Sequence, residues 1–172
     1  HMSNIAIIEI DGNLYELPLV IGTENEVAID IAALRGATNG VITLDPGYKN
    51  TGACKSAITF LDGEEGILRY RGYAIEEIEE KASFLEVAYL LIFGELPTKE
   101  ELNKFNADIN AESQVDEDIK KILDGFPKSA HPMGVLSSLT SALVAFNPSS
   151  VNVDSPEDMY NAIVKILGKF PV

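Results

Sequence analysis

At Gly72 the spacing of apolar residues changes. Before it, apolar and β-branched residues come in short runs broken by turn residues; after it they recur at the helical period of about 3.6 to the end of the chain. A pattern of period two is buried only in a sheet and a pattern of period 3.6 only on a helix face, so this change sets the fold class. It predicts a mainly α protein, with a small N-terminal β segment of hairpins over residues 3–72. A bundle of about six helices follows over residues 73–172.

Within the β segment, Ile5 to Ile10 is apolar and β-branched, and Asp11-Gly12 tolerates the positive φ angles of a tight hairpin turn before Asn13 to Leu17. From Val20 to Gly40 the periodicity is weak, with one further short strand expected over Val27 to Ile31. Val41 to Leu44 reads as another, ending at the turn Asp45-Pro46-Gly47. Ser56 to Leu61 and Gly66 to Tyr70 flank the polar turn Asp62-Gly63-Glu64-Glu65 and predict a second hairpin.

The helical part carries its own start and stop signals. Ala74 to Lys81 reads as a short surface helix with Ile75 and Ile78 inward. Ser83 caps the next, whose residues from Phe84 to Ile92 leave almost no polar face, so burial on most sides is expected before Gly94 stops it. Thr98 and Glu101 make a capping box for a helix with Leu102, Phe105 and Ile109 as its buried stripe, ending near Glu112. Asp116, Glu117 and Asp118 open another, with Ile119, Ile122 and Leu123 inward and Pro127 as its end. Pro132 suits the first position of a helix running to about Phe146, in which large residues alternate with small ones so that another helix can approach closely. Ser155-Pro156-Glu157-Asp158 starts the last, with Met159, Ile163, Ile166, Leu167 and Phe170 apolar. A chain that ends at Pro171-Val172, just after such a helix, is expected to be cut from a longer one.

Charge narrows the partners. Lys plus Arg number 13 against 27 Asp plus Glu, a formal charge of −14, which repels phosphate backbones and anionic lipid. Nucleic acid and membrane are therefore not expected as partners, and no apolar run approaches the length of a membrane span. With no basic leader before an apolar stretch, a cytoplasmic setting is the expectation. The single cysteine, Cys54, has no partner for an internal disulfide. His1-Met2 reads as an expression-vector scar, which leaves His131 as the one authentic histidine, too few for a zinc cluster.

Each candidate for chemistry has a structural reading beside it, and in each case that reading is preferred. His131 is a possible base, but it directly precedes a helix-starting proline, where a side chain bonds to the backbone. Arg69 and Arg71, two apart on a strand, share a face and would bind a carboxylate or phosphate together; pairing with Glu64, Glu65, Glu76 and Glu77 is the simpler use. Lys49 and Lys55 flank a loop containing Asn50, Thr51 and Gly52 that is only faintly like an anion site, since the phosphate-loop pattern is absent. Cys54 is expected to be a small buried residue. Asp62, Glu64 and Glu65 lack calcium-loop spacing, and Phe84, Tyr89 and Phe93 read as core.

Three stretches in order, Ala53 to Tyr73, Glu86 to Leu91 with Gly94 to Thr98, and Ala130 to Leu136, resemble the N-terminal part of citrate synthases. The β-rich start before Asp45-Pro46-Gly47 further resembles the bacterial branch, whose members carry an extra N-terminal β segment and often assemble beyond the dimer. The resemblance implies a fragment of the family's large domain. It also implies a parent acyltransferase that condenses acetyl-CoA with oxaloacetate, an aspartate taking the methyl proton while histidines and arginines hold the carbonyl and carboxylates. Those groups belong to the C-terminal half. With three arginines (Arg35, Arg69 and Arg71) and His131, this chain is expected to supply no catalytic, cofactor-binding or metal residue and to be inactive alone.

The NADH-inhibited members carry an Arg-His-Thr run where this chain has Ala111-Glu112-Ser113. Lys165 and Lys169 keep the positions of basic groups in that site, but the Arg-His pair is gone, so inhibition through it is not expected. Self-association is expected, because helices 132–146 and 156–170 would leave apolar faces exposed. The alternatives are a 2-methylcitrate synthase fragment or a non-catalytic acidic helical interaction module.

Overall fold

The computed structural model describes residues 4–148 and 152–172. Contacts divide the chain into two compact units, His1–Ser56 and Ala57–Val172.

The first unit is an antiparallel sheet in the order β1 (Ile5–Ile10), β2 (Asn13–Ile21), β3 (Val27–Ile29), with one helical turn, α1 (Leu34–Ala37). Asp11 (φ 51°) and Gly12 (φ 79°) form the predicted β1–β2 turn and bring Ile10 opposite Asn13. Its buried side chains are Leu17 on β2 and Leu34 on α1, and α1 packs on β2. Two expectations need correction. Strand β3 stops at Ile29, because the Asp30 carboxylate turns back to accept from the Ala32 N–H, and the unforeseen α1 follows. Val41 to Leu44 is not a strand. A β-branched, mostly apolar run does not make one without a neighbouring strand to pair with, and Ile42 and Leu44 stand 68% and 87% exposed.

The second unit opens with the predicted hairpin, now part of a sheet ordered β4 (Thr59–Asp62), β5 (Ile67–Tyr70), β6 (Tyr73–Ala74). Asp62 Oδ1 accepts from the N–H groups of Glu64 and Glu65 in the β4–β5 turn. The two-residue β6 was not foreseen. Arg71 (φ 50°) and Gly72 (φ 90°) make a second tight turn, setting Tyr70 opposite Tyr73.

Helices follow: α2 (Ile75–Lys81), α3 (Phe84–Phe93), α4 (Lys99–Ala111), α5 (Glu117–Asp124), α6 (Pro132–Phe146) and α7 (Pro156–Lys169). Thr98 and Glu101 form the expected capping box, the expected Ser83 cap proves to be a second box with Glu86, and Gly94 closes α3 in the left-handed region. The core joins α3, α4 and α7: Phe105, Ile109 and Val164 are buried, with Leu85, Ala88, Tyr89, Tyr160, Ile163 and Leu167 packed around them. Phe105 meets Tyr89 and Phe93 edge-on, with centroids 5.5 and 5.9 Å apart.

Several burial expectations change. In α3 only Leu90 is fully buried; residues 85–89 and 91 are half-buried and Phe84 is 75% exposed, so an apolar helix surface that needs partners on every side has only partial cover. In α5, which packs on α6, Ile119 is buried, but Ile122 and Leu123 are exposed. Gly125, not Pro127, ends it. In α7 the apolar residues divide: Ile163 and Leu167 pack on the core beside the buried Val164 and Gly168, whereas Met159, Ile166 and Phe170 are exposed, as expected of a helix that leaves an apolar face open.

Candidate functional site

His131 sits at the N-cap of α6, where its Nδ1 accepts from the Met133 N–H at 3.2 Å. Pro132 at the first helical position has no N–H to offer, so the cap reaches the next donor. The ring is exposed. This contact requires an unprotonated Nδ1, so the proton of the neutral ring resides on Nε2.

Arg71 does not share a strand face with Arg69. Its positive φ takes it out of the alternation of β5 and turns its guanidinium toward α3. Nη2 donates to the Leu91 carbonyl at 2.8 Å and Nη1 to that of Ala57 at 3.5 Å, while Nε is buried without a partner. Leu91 contributes one of the last four carbonyls of α3, which lack intrahelical donors, and a cation there also meets the negative end of the helix dipole. The expected pairing of Arg71 with Glu64, Glu65, Glu76 or Glu77 therefore gives way to a helix-end contact.

Lys169 does the same for α4. Its Nζ donates to the carbonyls of Glu112 (2.9 Å) and Gln114 (2.7 Å) and lies 3.5 Å from the Glu112 carboxylate, with the side chain only 9% exposed. Ala111-Glu112-Ser113 forms the end of α4, where the Ser113 hydroxyl donates to the Asn110 carbonyl. The Lys169 ammonium is thus committed to closing a helix.

Lys49, Asn50 and Thr51 surround a carboxylate. Asp45 accepts from the N–H groups of Lys49 and Asn50 and from the Thr51 hydroxyl at 2.6 Å, and these bonds, that of Thr51 foremost, hold its pKa below the ordinary value. A carboxylate at the centre of the loop repels an anion. Cys54 is exposed, contrary to expectation, since the chain from Ala53 to Lys55 forms no regular element that would cover it.

One polar cluster escaped the sequence. Tyr160 on α7 donates its hydroxyl to Asp108 Oδ2 at 2.6 Å, and Lys104, one turn before Asp108 on α4, donates to the same oxygen. The Lys104 ammonium also lies 5.0 Å from the Tyr160 ring centre. The Lys104 bond, then that of Tyr160, lowers the Asp108 pKa, and burial raises that of Tyr160. The i,i+4 spacing of Lys104 and Asp108 was visible; the tyrosine, on another helix, was not. Beside this cluster Tyr89, Phe93, Glu101, Lys104 and Tyr160 line a hollow of about 280 Å³. A larger apolar groove of about 520 Å³ runs between α5 and α6, walled by Leu123, Phe126, Val135 and Leu139.

Among the described residues no three His, Cys, Asp or Glu side chains are grouped as a metal ion needs, and no helix is long and apolar enough to cross a membrane. The polar contacts above go to helix ends, turns and one interhelical bond. They do not place a base beside an electrophile.

Comparison with known proteins supplies what this geometry does not. The family described as citrate synthase, C-terminal domain, matches residues 47–172. Citrate synthase 1 of Mycobacterium tuberculosis is 41% identical over 166 residues, covering 96% of this chain and 38% of the relative. Citrate synthase of Dictyostelium discoideum is 44% identical over 169 residues, covering 93% of this chain and 33% of the relative. The crystal structure of citrate synthase from Thermotoga maritima superposes with a TM-score of 0.61 at 32% identity, over 75% of this chain and 32% of that one. The chain thus spans about a third to two fifths of the length of these relatives. With three landmarks in register, most of the chain matched by the family and a shared helical architecture, the chain belongs to the citrate synthase family.

Proposed function

We propose that the chain is part of a citrate synthase whose full-length enzyme condenses acetyl-CoA with oxaloacetate, giving citrate and CoA in the tricarboxylic acid cycle. The family match over residues 47–172 carries this reading. In it, residues 3–72 are a β-rich N-terminal segment and residues 73–172 the helical start of the large domain. This part supplies scaffold and subunit contacts, with the catalytic aspartate, histidines and arginine clamp in the remainder. The uses already found for His131, Arg71 and Lys169 support that division of labour. Self-association and a cytoplasmic location complete the proposal, and the charge of −14 speaks against nucleic acid or membrane partners.

The test is CoA-thiol release by the full-length gene product from acetyl-CoA plus oxaloacetate, beside the isolated chain. Turnover by the full-length enzyme and none by the chain is expected. Preference for propionyl-CoA would move the assignment to 2-methylcitrate synthase, and turnover by the chain alone would overturn the scaffold role. NADH added to the same assay is expected to leave the rate unchanged, because Ala111-Glu112-Ser113 offers no cation and Lys169 is already bonded to carbonyls.

A further inference from the structure

We draw no further inference here: the strongest candidate, the apolar groove between α5 and α6 with the exposed face of α6 beside it, belongs to the self-association already proposed, and nothing in the structure shows what else would cover it.

Discussion

Gly168 of α7 lies close against the backbone at the end of α4. A Cβ built on it would lie 2.6 Å from the Ile109 carbonyl oxygen and about 3 Å from the Glu112 carbonyl, and both obstacles are backbone that cannot swing aside. Gly168→Ala should therefore cost stability although alanine favours helix, by about 1–3 kcal/mol as overpacking typically does. Urea unfolding of the chain should show a lower midpoint at unchanged slope; an equal or higher midpoint would mean that the helices separate freely. Asp108 gives a second test at this scale. Its folded pKa lies below the ordinary 3.8, so its bonds to Lys104 and Tyr160 stabilise the fold fully above that value. Their contribution fades as pH falls from 3.8 through the folded pKa. Asp108→Asn should be less stable than the native chain at neutral pH, with the gap closing in acid. A gap independent of pH would assign the loss to packing instead of charge.

The helix starts were legible because a cap is local. Ser83 with Glu86 and Thr98 with Glu101 stand three residues apart in the sequence and close the same reciprocal bonds in the structure. These bonds keep both glutamate pKa values below the ordinary 4.5. Thr98→Ala should destabilise by about 1 kcal/mol, read by thermal unfolding, and Ser83→Ala by a similar amount. No change for either would make the cap ornamental. What the sequence did not show depends on distant partners. The surface of α7 is apolar over much of its circumference, at Met159, Tyr160, Ile163, Val164, Ile166 and Leu167, so only the position of α4 decides that Val164 and Gly168 face inward. Val41 to Leu44 misled for the complementary reason, having strand composition but no strand to pair with. The roles of Arg71 and Lys169 were hidden because each closes the carbonyl end of a helix far along the chain: Arg71 that of α3, and Lys169, 57 residues from Glu112, that of α4. His131 as a cap was legible from Pro132 alone.

At the scale of the whole chain, two forces set solution behaviour. The charge of −14 keeps copies apart, while exposed apolar side chains draw them together. The two are not spread alike. α6 contains no charged residue in its 15 positions and buries none of them, and Met133, Leu136, Val144 and Phe146 are exposed along it. Contact through α6 would therefore bring no like charges face to face, leaving only the long-range repulsion of the rest of the chain. Salt screens that repulsion over a Debye length of about 8 Å near physiological strength and leaves apolar attraction intact. Sedimentation of the isolated chain should accordingly show self-association that strengthens with salt. Replacing Met133 and Val144 by lysine should reverse it at every salt concentration, since buried ammonium groups without partners cost far more than the methyls they displace contribute. Association that weakens with salt would mean that ion pairs hold the copies together. Association unchanged in the double lysine variant would place the contact elsewhere, the first unit's exposed Ile7, Leu14 and Val27 being the next surface to test.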